Sequence, residues 1–173
     1  TAKDFALISD DINVHTNVMT RSAFKQRIDS TLRNSFGHSL FAKAKLIFTS
    51  DPSIEQLFAE LHSIGERDTH VQQMQSLQGV LASLYKAKKW FEIKNDLDYT
   101  ALFILFAANN LAQMEVGSHG KLVAREVLPD ALELNPALFN KIYSELLNKK
   151  KTRKAVGEAI AAIDDYIEAR QKA

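Results

Sequence analysis

The chain has 173 residues, 46% hydrophobic and 25% charged, enough apolar material for a core without staples. It holds no cysteine, which excludes disulfides, zinc–thiolate sites and thiol nucleophiles and suits a reducing, cytoplasmic setting. The net charge of +1, from 22 Lys and Arg against 21 Asp and Glu, argues against a dedicated nucleic-acid surface, and neither a signal peptide nor a membrane span is visible.

Taken in order, Phe5 to Ser9 and Ile12 to Thr20 flank Asp10-Asp11, and Ile12, Val14, Thr16 and Val18 alternate with Asn13, His15 and Asn17. This period of two predicts a strand pair with one face in and one out, joined by an acidic turn. Such a pair is marginal alone and calls for covering helices. Ser22 is placed to cap a helix carrying Phe24, Ile28 and Leu32 on one side, with Gly37 as its end. Leu40 to Ser50 reads as a short helix with a strand-like exit. Asp51-Pro52 marks a clear helix start, cap followed by proline, with Glu55 set to complement the exposed amides. Its buried stripe is Ile54, Leu57, Phe58, Leu61 and Ile64, and Gly65 stops it before a charged hinge, Glu66-Arg67-Asp68. From Thr69 to Trp90, Val71, Met74, Leu77, Leu81, Leu84 and Tyr85 trace an amphipathic helix with Gly79 as its weak point.

Leu97 to Val116 is apolar nearly all round, so it predicts a central helix wrapped by others. Asn109, Asn110, Gln113 and Glu115 interrupt its second half and require partners or a ligand. Val116 to Gly120 reads as a loop, Leu122 to Leu134 as a helix bent by Pro129, and Asn135-Pro136 as another capped start. Leu138, Phe139, Ile142, Tyr143, Leu146 and Leu147 form that helix's stripe. Asn148 to Lys151 then links to a last helix, Thr152 to Lys172, with Val156, Ile160, Ile163 and Ile167 on one face. The expected fold is α+β by content but predominantly helical: a small N-terminal strand pair or sheet remnant packed on a bundle of about six helices.

Candidate chemistry is sparse. The five histidines include no i, i+4 pair that would offer two imidazoles to one metal. Lys86 to Lys89 beside Trp90 and Phe91 reads either as a phosphate-facing edge with a stacking partner or as a solvated helix end. Arg33 and His38 match the arginine, four residues, histidine pattern of the HEPN ribonucleases, a short string that also arises by coincidence. There is no Gly-x-Ser-x-Gly elbow and no glycine-rich phosphate loop. One constellation remains, Asn109, Asn110, Glu115, His119, Lys121, Arg125 and Glu126, which a helical hairpin would gather. It reads as a polar pocket in a helical wall or as an internal Glu115–Arg125 salt bridge.

Three stretches carry a wider resemblance. YTALFILFAANNLAQMEV and REVLPDALELNPALFNKIYSELLNKKKTRKAVGEAIAAIDDYIEAR resemble the helical C-terminal part of bacterial nucleotidyltransferase-like proteins of the DNA polymerase β type, and SAFKQRIDSTLRNSFGHSLFAKAKLIFTSDPSI resembles the end of their catalytic domain. The resemblance implies that residues 1–65 end a nucleotidyltransferase-like α/β domain and residues 66–173 form the helical C-terminal domain. It also implies transfer of a nucleoside monophosphate from a nucleoside triphosphate to a small-molecule or protein acceptor, with Mg2+ held by carboxylates. The family's Gly-Ser turn followed by paired acids is absent from the sequence, so either the catalytic strands lie upstream of Thr1 or the chain is an inactive member. Carried over to this chain, the resemblance leaves Asp10 and Asp11 as the metal edge and Asn110, Glu115 and Arg125 as acceptor contacts. A homodimer is a compatible assembly. The rival readings are a non-catalytic helical interaction module and the ribonuclease suggested by Arg33 and His38.

Overall fold

The computed structural model describes residues 3–32, 35–61 and 66–171, and the chain divides into two compact units, Thr1–Ser63 and Ile64–Ala173. It is mostly helical, with an N-terminal two-stranded antiparallel hairpin.

In the first unit, β1 (Lys3–Ser9) pairs with β2 (Ile12–Val18), Ser9 opposite Ile12 and Leu7 opposite Val14. The two-residue turn places Asp10 and Asp11 at φ 50° and 62°. Positive φ at both central positions gives the connection the right-handed twist of the strands it joins. The alternation is as expected, Phe5, Leu7, Ile12, Val14 and Val18 sharing one face, but that face is not covered: Ile12 is 65% and Val18 55% exposed. Three helices follow, α1 (Arg21–Leu32), α2 (Ser35–Ala42) and α3 (Pro52–Glu60).

Thr20, rather than Ser22, caps α1, its Oγ1 accepting from the Ala23 amide. Gly37 does not end a helix but lies inside α2, and residues 44–49 are irregular rather than a strand. Asp51 caps α3 as its sequence demands, accepting from the Ser53 amide and hydroxyl, and it also pairs with Arg21 of α1. Phe24 stacks on Phe58 and meets Phe41 edge-on, while Ile28, Leu61 and His38 are fully buried. The expected stop at Gly65 and the stripe position Ile64 lie outside the described residues.

The second unit opens with α4 (Glu66–Lys89), so the charged triplet at its start is a first helical turn rather than a hinge. A wide turn of five residues, Trp90–Lys94, extends α4, and Asn95, at φ 52°, reverses the chain. Asp96 then caps α5 (Leu97–Ser118) by accepting from the Tyr99 amide. Residues 119–126 are irregular, and α6 (Val127–Leu134) starts later than its sequence suggested. Pro129 therefore sits in the first turn, where a missing N–H breaks no ladder, and no bend results. After α7 (Pro136–Phe139), capped by Asn135, a second wide turn at Asn140–Ser144 leads into α8 (Glu145–Asn148), and α9 (Arg153–Gln171) closes the chain.

Helix α5 is the axis of this unit, packing on α4, α6, α9 and both wide turns. Ala101, Ile104, Ala107, Ala108, Leu111 and Ala112 are buried along it. Its four alanines lower the side-chain bulk between helices, and Gly79 of α4 sets the closest approach: a Cβ there would lie 2.6 Å from the Asn110 side chain. Around α5 the core is completed by Val80 and Leu84 of α4, Phe139, Ile142, Val156 and Ile163. Each of the larger aliphatic groups contributes about 1.5–3 kcal/mol when fully buried. No helix among the described residues is long and apolar enough to cross a membrane.

Candidate functional site

The polar residues of α5 are resolved into two groups by the antiparallel α4–α5 pair. On one edge, Gln73 Nε2 donates to the Met114 carbonyl at 3.0 Å, Ser76 lies 3.4 Å from Gln113 Oε1, and Gly79 faces Asn110. Asn110 itself donates to the Phe106 carbonyl one turn back at 2.9 Å. These contacts engage Asn110 and Gln113 locally, and Asn109, Asn110 and Gln113 are all half-exposed.

Glu115 behaves differently, because its side chain is 7% exposed. Its carboxylate accepts from the Tyr166 hydroxyl and pairs with Arg170 at 3.1 Å, both on α9. Arg170 also donates to Ser118 Oγ at 2.9 Å and lies over the Tyr166 ring, 4.8 Å from its centroid. Burial, together with the hydrogen bond to Glu115, holds the Tyr166 phenol well above its ordinary range. The expected internal ion pair of Glu115 is thus real, but its partner is Arg170 and not Arg125. Arg125 is exposed in the segment before α6 and, among the described residues, pairs with no carboxylate. The three residues expected to meet an acceptor therefore look to different surroundings: Asn110 to α4, Glu115 to α9, and Arg125 to solvent.

Asp10 and Asp11 are exposed at the hairpin tip, held by the turn's backbone geometry. Among the described residues no three His, Asp or Glu side chains gather as a cation site. Asp10 and Asp11 stand as two adjacent carboxylates, part of the octahedral oxygen set that Mg2+ completes with water or phosphate oxygens. Of the ribonuclease pair, Arg33 lies outside the described residues. His38 is fully enclosed, its Nε2 2.9 Å from the Leu61 carbonyl, and cannot touch a polymeric substrate.

What the wide turn after α4 does build is an aromatic strip. It sets Trp90 against Tyr99 at 4.4 Å between ring centroids, and Tyr99, Phe103 and Phe106 continue along α5 at 5.9 Å spacings. Lys86 stands over the Phe103 ring at 5.3 Å. Tyr99 is 47% and Phe106 50% exposed, so the strip is a surface rather than a core. Phe91, next in the turn, points the other way. Its ring lies against Gly157 of α9 and under Arg153, 4.2 Å from the guanidinium. Arg153 in turn donates to the Phe91 carbonyl and to Asn95 Oδ1, fastening the turn. The sequence pointed to Lys86 and Trp90, but the α5 half of the strip was hidden in an apolar run that looked wholly buried.

No protein-family model matches the chain, and no curated protein matches it in sequence. Among solved structures it is similar to the crystal structure of a nucleotidyltransferase-like protein from Exiguobacterium sibiricum 255-15, with a TM-score of 0.75 at 14% identity. The match covers 98% of this chain and 58% of that one, so the chain spans less than two thirds of that protein's length. What the described geometry and this likeness establish together is that the fold resembles that of a nucleotidyltransferase-like protein.

Proposed function

We propose that this chain is the recognition portion of a nucleotidyltransferase-like protein, in which the helical second unit holds the acceptor. The observation that carries the reading is the fold likeness, which extends over nearly the whole chain. The surface that suits an acceptor is the strip Trp90, Tyr99, Phe103 and Phe106 with Lys86 at its side. The exposed Tyr99 and Phe106 rings each offer an apolar face to a nucleoside or another ring-bearing acceptor, and an ammonium group beside them favours a partner with negative charge.

A thermal-denaturation titration tests this. Nucleosides, nucleoside triphosphate, and nucleoside triphosphate with Mg2+ are added separately to the wild type and to Tyr99→Ala. A ligand that binds only the folded state stabilises it by about 2.7 kcal/mol at a hundredfold excess over Kd. Stabilisation of the wild type that is lost in Tyr99→Ala supports the reading. No shift with any of the three at millimolar concentration favours a second reading, a non-catalytic helical interaction module. That alternative draws on Met74, Leu81 and Tyr85, which form an exposed apolar stripe on the face of α4 opposite its buried residues.

A further inference from the structure

The near-neutral net charge conceals a sharp local excess. Between Lys141 and Lys154 the chain carries Lys141, Lys149, Lys150, Lys151, Arg153 and Lys154 against Glu145 alone, a local charge of +5 in a chain whose total is +1, so the remaining residues sum to −4. Arg153 turns away to Phe91, Asn95 and Glu92, but the fold keeps four of the six lysine and arginine groups together. The wide turn before α8, the extended segment after it and the first turns of α9 close around a crevice of about 80 Å³. Lys141, Lys149, Lys150 and Lys151 line it over an apolar floor of Leu146 and Ala155.

Two carboxylates, Glu145 and Glu158, also line it, and each is engaged by a lysine: Glu145 by Lys149 at 3.0 Å and Glu158 by Lys154 at 3.9 Å. Lys151 reaches Asp98 at the start of α5, 3.5 Å away. Lys141 and Lys150 have no carboxylate partner among the described residues. Crowding like charges raises the free energy of the folded chain unless an anion offsets it. An ammonium group is a compact charge with three donors, suited to an oxyanion approached from several sides.

We propose that this crevice is a phosphate-binding site, taking one phosphoryl group of a small ligand between Lys141 and Lys150, with Lys149 and Lys151 at its rim. The crevice has room for one tetrahedral oxyanion beside these lysines. The proposal goes beyond acceptor binding at the aromatic strip and does not depend on nucleotidyl transfer being the reaction.

The test is a titration of the intact chain with inorganic phosphate, and separately with a nucleoside monophosphate, at low ionic strength without Mg2+, followed by amide chemical shifts. Saturable shifts centred on Lys149 to Lys151 are expected, weakened at 0.3 M salt as screening of exposed charges shortens to about 5 Å. Lys141→Gln with Lys150→Gln should weaken binding at least tenfold, whereas Lys43→Gln, an exposed change in the first unit, should leave it unchanged. Both variants alter exposed side chains, and circular dichroism checks that they fold. Tighter binding of the nucleotide than of inorganic phosphate identifies a phosphoryl group carried on a nucleoside, and equal binding identifies the phosphoryl group alone as the ligand; both support the site. Shifts that rise linearly at all lysines, or binding that survives the double substitution, overturn it. The Tyr99→Ala titration reads a different surface, so the two proposals fail independently.

Discussion

Removing the Glu115 carboxylate should be the most costly single polar change in the second unit. Glu115 is almost fully enclosed and holds two α9 groups at once, the Tyr166 hydroxyl and the Arg170 guanidinium. A hydrogen bond to a charged group is worth about 1.5–3 kcal/mol. The Tyr166 bond deserves a value within that range because the phenol is largely buried. The Arg170 contact is worth less, about 0–1 kcal/mol, because the guanidinium side chain is 34% exposed and regains water when its partner is lost. Glu115→Ala should therefore cost about 2–3 kcal/mol, while Glu115→Gln, which still accepts from Tyr166, should cost about 1 kcal/mol. At about 4 °C per kcal/mol for a unit of this size, the alanine variant should melt roughly 10 °C lower. Urea denaturation of the wild type, both variants and Tyr166→Phe gives the values. A double-mutant cycle between Glu115→Ala and Tyr166→Phe should show coupling of about 1 kcal/mol or more. An alanine variant within about 0.5 kcal/mol of the wild type, where ordinary surface substitutions fall, would falsify the view that this carboxylate fastens α9 to α5.

The same network sets a limit at alkaline pH. Because burial and Glu115 hold the Tyr166 phenol above its ordinary value of 10.0, the folded chain keeps a proton that the unfolded chain gives up. Stability should thus be full below pH 10 and fall as pH rises above it, a slope that Tyr166→Phe should reduce in denaturation at pH 9 and pH 11. At the acid end, hydrogen bonds from Ser53 and Arg21 hold the Asp51 carboxyl below 3.8, so the first unit should lose stability as pH falls beneath that value, and an NMR titration of Asp51 should show the lowered midpoint. Gly79→Ala gains about 1 kcal/mol of helix propensity but must displace the Asn110 side chain. Pairing it with Asn110→Ala should give a protein more stable than Gly79→Ala alone by thermal melting, and equal melting points would show that the two helices have room to spare. Asp11→Gly should stabilise the hairpin by up to about 1 kcal/mol, since glycine takes a positive φ without strain. A fall in stability that appears only with Mg2+ present would instead point to a metal role for the turn.

The features read correctly from the sequence are those decided by neighbours along the chain. Asp51-Pro52 and Asn135-Pro136 start helices because cap and proline act on the next three amides. Leu97 to Val116 shows as central because apolar residues on most of its sides call for neighbours, although Tyr99, Leu102 and Phe106 stay exposed along one edge. The failures are decided at a distance. Gly37 looks like a terminator, yet glycine only permits an end, and α2 runs through it. Pro129 looks like a kink until the true start of α6, two residues earlier, makes it a first-turn residue. The partner of Glu115 lies 55 residues on, where Arg170 looked like one more charge on an amphipathic tail. Tyr166 and Arg170, one turn apart, were the available signal. Lys149 to Lys151 read only as a link between helices because nothing local shows that Lys141 lines the same crevice.

The short reversal at Asn95-Asp96 has a kinetic consequence. It joins α4 and α5 in register from Trp90 beside Tyr99 back to Gln73 beside Met114, so their interface forms between segments adjacent in sequence, at small loop-closure cost. We expect this hairpin to be the nucleus of the second unit, with α9 docking afterwards and bringing Tyr166 and Arg170 to Glu115 from far along the chain. Substitutions at Gly79 should then alter the refolding rate, and substitutions at Tyr166 should chiefly alter the rate of unfolding.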